Sequence, residues 1–213
     1  MEPENYITIP HKITDKSFVM IQEEIDRIDP EYTFKNPIEE AVIKRAIHTT
    51  ADFDYLHTLE FTHDVIAKIQ HILKNHGTIF TDTTMALAGI NKRRLDDLGV
   101  HYHCYIAEPE VYKIAEERGI TRSMAAIEMA AKVDTEKLFV IGNAPTAVYK
   151  ILEMTRDKQL KPDAVIGVPV GFVEAAESKA ALAESDIPSI AAQGRKGGSN
   201  LAAALVNAVL YNL

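Results

Sequence analysis

"KLFVIGNAPTAVYKILE", residues 137–153, changes its pattern partway along. Leu138, Phe139, Val140 and Ile141 form an apolar run too short for a helix and rich in β-favouring side chains, which reads as a buried strand. Gly142, Asn143 and Pro145 interrupt it. From 144 to 158 the residues follow a helical pattern. A strand that feeds a helix through a tight turn is half of a βαβ unit. The same arrangement recurs in both directions along the chain. "GTIFTD" (77–82) and "VHYHCYI" (100–106) lie before it, and "DAVIGVPVG" (163–171) and "PSIAAQG" (188–194) lie after it. Helical patterns at 62–76, 84–98, 109–118 with 122–132, 174–185 and about 199–211 fill the gaps. Strands alternating with helices predict an α/β fold: an open, mostly parallel sheet with helices on both faces.

Before this alternation the segment Lys12–Thr50 reads as helical. Phe18, Ile21, Ile25 and Ile28 recur at helical spacing, with Asp15 as the expected N-cap. "DPEY" (29–32) breaks that helix. "NPIEEAVIKRAIHTT" (36–50) starts another, with Asn36 as cap, Pro37 at the first position and Glu39 and Glu40 in the first turn. These two helices are expected to pack beside the sheet. With no repeat, low-complexity tract or long linker, residues 1–213 are expected to form one domain.

The formal net charge of −8 argues against general nucleic-acid binding, which needs a basic face, but leaves room for a small anion held by local cations. With Cys104 as its one cysteine the chain cannot form an internal disulfide, which suits a reducing cytoplasm. "MEPENYITIPHKI" lacks a charged-then-apolar leader pattern, and no apolar run approaches the ~18 residues of a membrane span. A soluble cytoplasmic protein is expected, with no membrane partner.

In open α/β sheets, ligands collect beyond the carboxyl ends of the strands. Those ends are "TD" (81–82), "GNAP" (142–145), "GVPVGF" (167–172) and "QGRKGGS" (193–199), and they are expected to converge. Neither GxGxxG after the first strand nor GxxxxGK[ST] occurs, so nucleotide fingerprints are missing. "GRKGGS" (194–199) still has an anion loop's composition at the start of a helix; the alternative is a solvated turn capped by Ser199. His48 closes the second helix with Arg45 three residues before it, either as an acid beside an anion clamp or as a partner of the helix dipole. "GVPVGFVEAAESK" (167–179) packs Gly167, Pro169 and Gly171 around two valines, as a backbone that approaches a ligand closely would. His101 and His103 share a strand face, but two alternating histidines fall short of a metal set, and His63, His71 and His76 read as surface positions.

These residues together resemble the precorrin-8X methylmutases, including the cobalt-precorrin-8 enzymes of the anaerobic cobalamin route. The resemblance spans the chain through "KSFVMI" (16–21), "VIKRAIHTTADFDY" (42–55), "TDTTMALAGI" (81–90), "TRSMAAIE" (121–128), "VIGNAPTAVYKILE" (140–153), "GVPVGFVEAAESK" and "GRKGGS". It implies an isomerase that moves a methyl group from C-11 to C-12 of a corrin-type ring. It implies a homodimer with sites near the interface, no organic cofactor and no protein-bound metal. His48 aligns with the family's proton donor, and its reference pKa of ~6.5 suits that role near neutrality. The implied substrate contacts are Ser17, Arg45, Thr83, Thr84, Arg122, Ser123, Asn143 (also read as a helix cap), Lys179, Arg195, Lys196 and the N–H groups of Gly197 and Gly198. Lys179 has the alternative of an internal pair with Glu177 or a neighbour.

A flat apolar ring edged with carboxylates needs an apolar floor and scattered cations, and arginines suit its carboxylates. A methyl shift needs no nucleophile; protonation and transition-state binding are its levers. Two departures from the family pattern stand out: Glu174 where a small residue is expected, and Thr49–Thr50 after His48. A corrinoid-binding protein without turnover is the competing reading, and a generic nucleotide enzyme a third. Whether the substrate carries cobalt is not legible in the chain.

Overall fold

The computed structural model describes residues 7–213. Residues 1–6, part of the stretch read for a leader, lie outside the described residues. Six strands form one sheet in the order β1-β6-β5-β4-β2-β3. They are β1 (Leu59–Phe61), β2 (Thr78–Thr81), β3 (His101–His103), β4 (Lys137–Ile141), β5 (Ala164–Gly167) and β6 (Ser189–Ala192). All neighbours are parallel except β1, which runs antiparallel to β6. The five expected strands are present and the sheet is open and mostly parallel, as read. β2, β4, β5 and β6 are buried along their whole length, which is why they read as continuous rather than alternating runs.

The helices are α1 (Pro10–Ile28), α2 (Pro37–Thr50), α3 (Tyr55–Thr58), α4 (Val65–Lys74), α5 (Thr84–Gly89), α6 (Lys92–Asp97), α7 (Pro109–Arg118), α8 (Arg122–Ala131), α9 (Pro145–Arg156), α10 (Ala175–Ala183) and α11 (Ser199–Tyr211). One core holds residues of α1, α2, α4, α5 and α11 against one face of the sheet. A second holds α8, α9 and α10 against the other. In α11, Leu201 through Val206 and Ala208 through Leu210 are buried, so it is apolar all round. The reason is its place: it packs against β4 and β5 and is covered by α2, with α1 on α2. The N-terminal helices therefore form an extra outer layer over α11.

Three boundaries differ from expectation. α1 begins at Pro10 with Ile9 as N-cap, so Asp15 lies inside the helix and caps nothing; proline at the first position sets the start. The expected 84–98 helix is two helices. Ile90 is extended and Asn91 caps α6 by accepting from the Arg94 N–H. Asn207 of α11 fastens the break, accepting from the Asn91 N–H and donating to the Gly89 carbonyl at 2.9 Å each. α4 starts three residues later than expected because His63 and Asp64 take left-handed backbone. α2 matches closely: the Asn36 side chain accepts from Ile38 and Glu39, and the helix ends on left-handed Ala51.

Candidate active site

The expected strand ends do meet. Asp82, buried just past β2, accepts from the N–H groups of Gly142, Asn143 and Ala144 at 2.9, 2.8 and 2.8 Å. That one carboxylate shapes the turn after β4. Gly142 lies so close to the start of α11 that a Cβ there would stand 2.7 Å from Ser199 Cα. Thr83 caps α5 and its hydroxyl pairs with that of Ser199 at 2.8 Å. The loops after β5 and β6 are stitched by Gly171 N–H to Arg195 O (3.1 Å) and Gly198 N–H to Val168 O (2.9 Å). At Gly197 a Cβ would fall 2.2 Å from the Val168 carbonyl oxygen, so only glycine fits this crossing.

His48 lines a groove of about 400 Å³ with Ser17, Met20, Ile21 and Glu24 of α1, and with Ile47, Ala51 and Phe53. Its ring meets Phe18 edge-on at 5.3 Å, and Arg45 Nη1 stands 3.5 Å from its Nδ1. The Arg45 guanidinium lies over Phe18, 5.0 Å from the ring centroid, and lines a neighbouring groove with Lys44 and Tyr211. Burial, and then the Arg45 charge, hold the His48 pKa below its usual 6.5. The free imidazole is therefore mainly neutral at pH 7, against the expectation of a ready protonated fraction. Ser17 Oγ donates to the Ile13 carbonyl at 2.8 Å within α1. Thr50 Oγ1 bonds the Ala46 carbonyl at 2.8 Å and Thr49 is exposed, so the Thr-Thr pair finishes the helix.

The chain leaving α2 ties this groove to the 194–198 loop. Lys196 Nζ stands 2.6 Å from carboxylate oxygens of both Asp52 and Asp54. These bonds hold its pKa far above the usual lysine range. Arg195 is the free cation of the loop, stacked 5.5 Å from the centroid of the exposed Phe172 ring.

Several expected contacts need correction. The Gly198 N–H is spent on Val168 and is not offered to a ligand. Lys196 serves two aspartates. Lys179 is fully buried under the loop, with Nζ donating to the Lys196 carbonyl at 2.6 Å, so it neither faces the groove nor pairs with Glu177. Asn143 does not cap α9; Ala144 holds that position with extended backbone, and the Asn143 side chain is exposed. Ser199 is the first residue of α11 and Gly198 its N-cap. Glu174 is exposed, with left-handed backbone at the N-cap of α10.

Thr84 is exposed beside Thr83. Arg122 and Ser123 open α8, whose cap Thr121 accepts from the Met124 N–H. Arg122 donates to Tyr112 Oη at 2.5 Å and lies over that ring at 4.8 Å. Ser123 faces a small cavity with Asp82, His103 and Tyr105, near β3 rather than near α2. His103 stacks on Tyr105 at 5.3 Å, and His101 is exposed. The residues that sequence reasoning passed over are Met20, Phe53, Asp52, Asp54 and Asp82. "TTADFDY" (49–55) follows His48 directly and carried the signal for three of them.

A family model described as precorrin-8X methylmutase matches residues 12–212. A cobalt-precorrin-8 methylmutase of Salmonella typhimurium is 51% identical over 98% of each chain. One from Methanothermobacter thermautotrophicus is 40% identical over 94% of this chain and 92% of its own. Among solved structures, a precorrin-8X methyl mutase from Thermus thermophilus superposes with a TM-score of 0.82 at 32% identity, covering 93% of this chain and 96% of the other.

Proposed function

The chain belongs to the precorrin-8X methylmutase family, isomerases of cobalamin biosynthesis, and on that premise we propose cobalt-precorrin-8 as its substrate and His48 as its acid. The reaction moves a methyl group from C-11 to C-12 of the corrin-type ring. Relatives named for the cobalt-containing compound support that choice.

The observation that carries the mechanism is His48, set in an apolar groove beside Arg45 and joined through Asp52, Asp54 and Lys196 to the strand-end loop. Ile21, Ile47, Met20 and Phe53 offer the ring an apolar surface. Arg45 and Arg195 are the cations we assign to peripheral carboxylates, with Ser17, Thr83, Thr84, Asn143 and Arg122 as further polar contacts along the edge; Ser123, in its small cavity by β3, is left out of that set. A carboxylate seated on Arg45 offsets its charge, and the His48 pKa then rises. Binding thereby favours the imidazolium, which protonates ring C and activates the migrating bond; because the product is an isomer of the substrate, the proton returns to His48 once the methyl has moved. This reading favours an enzyme over a passive carrier, since carriage alone has no use for a proton donor.

The same reading includes a homodimer joined through the exposed apolar side chains of Phe172 and Val173, 83% and 81% exposed. It also includes a cytoplasmic setting; among the described residues no helix is long and apolar enough to cross a membrane. The direct test follows absorbance while purified protein is mixed with cobalt-containing or metal-free precorrin-8. Conversion of the cobalt compound is expected. Binding of either compound without conversion would leave only the carrier reading, and faster conversion of the metal-free one would reverse the choice of substrate.

A further inference from the structure

Lys179 is the one lysine with no exposed surface, and no carboxylate lies within 4.0 Å of its Nζ among the described residues. A buried cation without a counter-charge is costly. Its position suggests why it is retained. Its ammonium donates to the Lys196 carbonyl at 2.6 Å. The Lys196–Gly197 peptide is trans, so its N–H points away from its carbonyl. That N–H belongs to Gly197, and no acceptor in the described residues takes it up. Gly197 itself is held against the Val168 carbonyl, which fixes the orientation of the peptide.

We propose that Lys179 is a positioning residue that acts through this peptide: its charge polarises the Lys196–Gly197 amide, and the outward Gly197 N–H binds a substrate carboxylate that serves as the missing counter-charge. The inference rests on the substrate reading above and adds a residue that never touches substrate. A cation on a carbonyl oxygen strengthens the N–H of the same amide as a donor. The arrangement holds an anion without exposing a lysine side chain.

Burial alone pushes the Lys179 pKa down to about 8. The other charged or titratable groups on α10 and its N-cap, and on α9 packed against it, are Glu174, Glu177, Tyr149, Lys150, Glu153 and Arg156, and the loop adds Arg195 and Lys196. Lys150 is occupied by Glu128 and Glu153, and Lys196 by its two aspartates. An anion bound at Gly197 stabilises charged Lys179, so binding should raise its pKa and should weaken as pH climbs past about 8.

The test compares wild type with the near-isosteric Lys179→Met for turnover of cobalt-precorrin-8 from pH 6.5 to 9.5. In wild type, KM should be flat below about pH 8 and rise above it while kcat changes little. Lys179→Met should raise KM about tenfold at pH 7, the size of one charge-assisted hydrogen bond, and lose the rise above pH 8. Wild-type KM in the variant, or a persisting rise, overturns the proposal. If the variant does not fold, NMR titration of the lysine side chains in wild type decides: the group titrating near 8 should move upward when the cobyrinate product is added, and an unmoved value overturns it. Absence of turnover by wild type at every pH would instead sink the substrate reading.

Discussion

Burial, and then the Arg45 charge, keep the acid form of His48 scarce near neutrality, and that gives a testable sign. The reaction needs the protonated imidazole, and the folded pKa lies below 6.5. For the free enzyme, kcat/KM should be highest on the acid side and fall as pH rises through that lowered value. Arg45→Met removes the cation at 3.5 Å, so the fall should move to higher pH while KM rises. An unmoved midpoint in the pH profile would deny the coupling. His48→Ala should lose at least ~100-fold in kcat. Asp82 carries a different load. Asp82→Ala leaves three backbone N–H groups without their acceptor, a cost of at least ~3 kcal/mol. Thermal unfolding should show Tm lower by roughly 6–12 °C. The His48–Arg45 pair was legible because three-residue spacing puts both on one helix face. The Asp82 clamp was not, because its partners lie sixty residues away and are backbone atoms.

Among elements, the 194–198 loop behaves less like a row of ligands than like a cross-braced strap. Lys179 holds it from beneath, Asp52 and Asp54 from the side, and Val168 from the neighbouring loop. Arg195→Ala should raise KM several-fold with kcat nearly kept, since it removes binding without disturbing the brace. Gly197→Ala should behave differently. Its Cβ has no room at 2.2 Å from the Val168 oxygen, so the loop must shift and both constants should worsen, while circular dichroism reports an intact sheet. Steady-state kinetics on the two variants separates the cases; matching profiles would mean that the loop is not braced in this way. Composition located the loop as a place for an anion, but it could not say which donors were already occupied. That depends on contacts from α10 and from the chain after α2. The break between α5 and α6 was hidden for a similar reason: the apolar pattern runs through it, and Asn207 from the far end of the chain fixes it.

At the scale of the molecule, the alternation of strands and helices specified the parallel sheet, because each buried strand must be a short apolar run and each crossover needs a helix. It did not specify β1. Three residues are too few for a period, and an antiparallel edge strand has no crossover to betray it. Yet β1 brings the chain after α2 back to β6, beside the 194–198 loop, with the Gln193 N–H bonded to the Thr58 carbonyl at 2.7 Å. The proposed dimer belongs to this scale as well. Sedimentation equilibrium should give two chains for wild type and one for Phe172→Asp, which puts a charge on a ring that is 83% exposed in the single chain; a monomeric wild type would remove the dimer from the reading.

The position of α11 also sets an order of assembly during synthesis. α1 and α2 leave the ribosome well before α11, the helix on which α2 chiefly packs. Until Leu201–Leu210 emerge, the apolar face of α2 has no permanent partner and the His48 groove has no backing. A nascent chain lacking α11 should therefore be readily cut by protease near residues 10–58, and completing the helix should close that window.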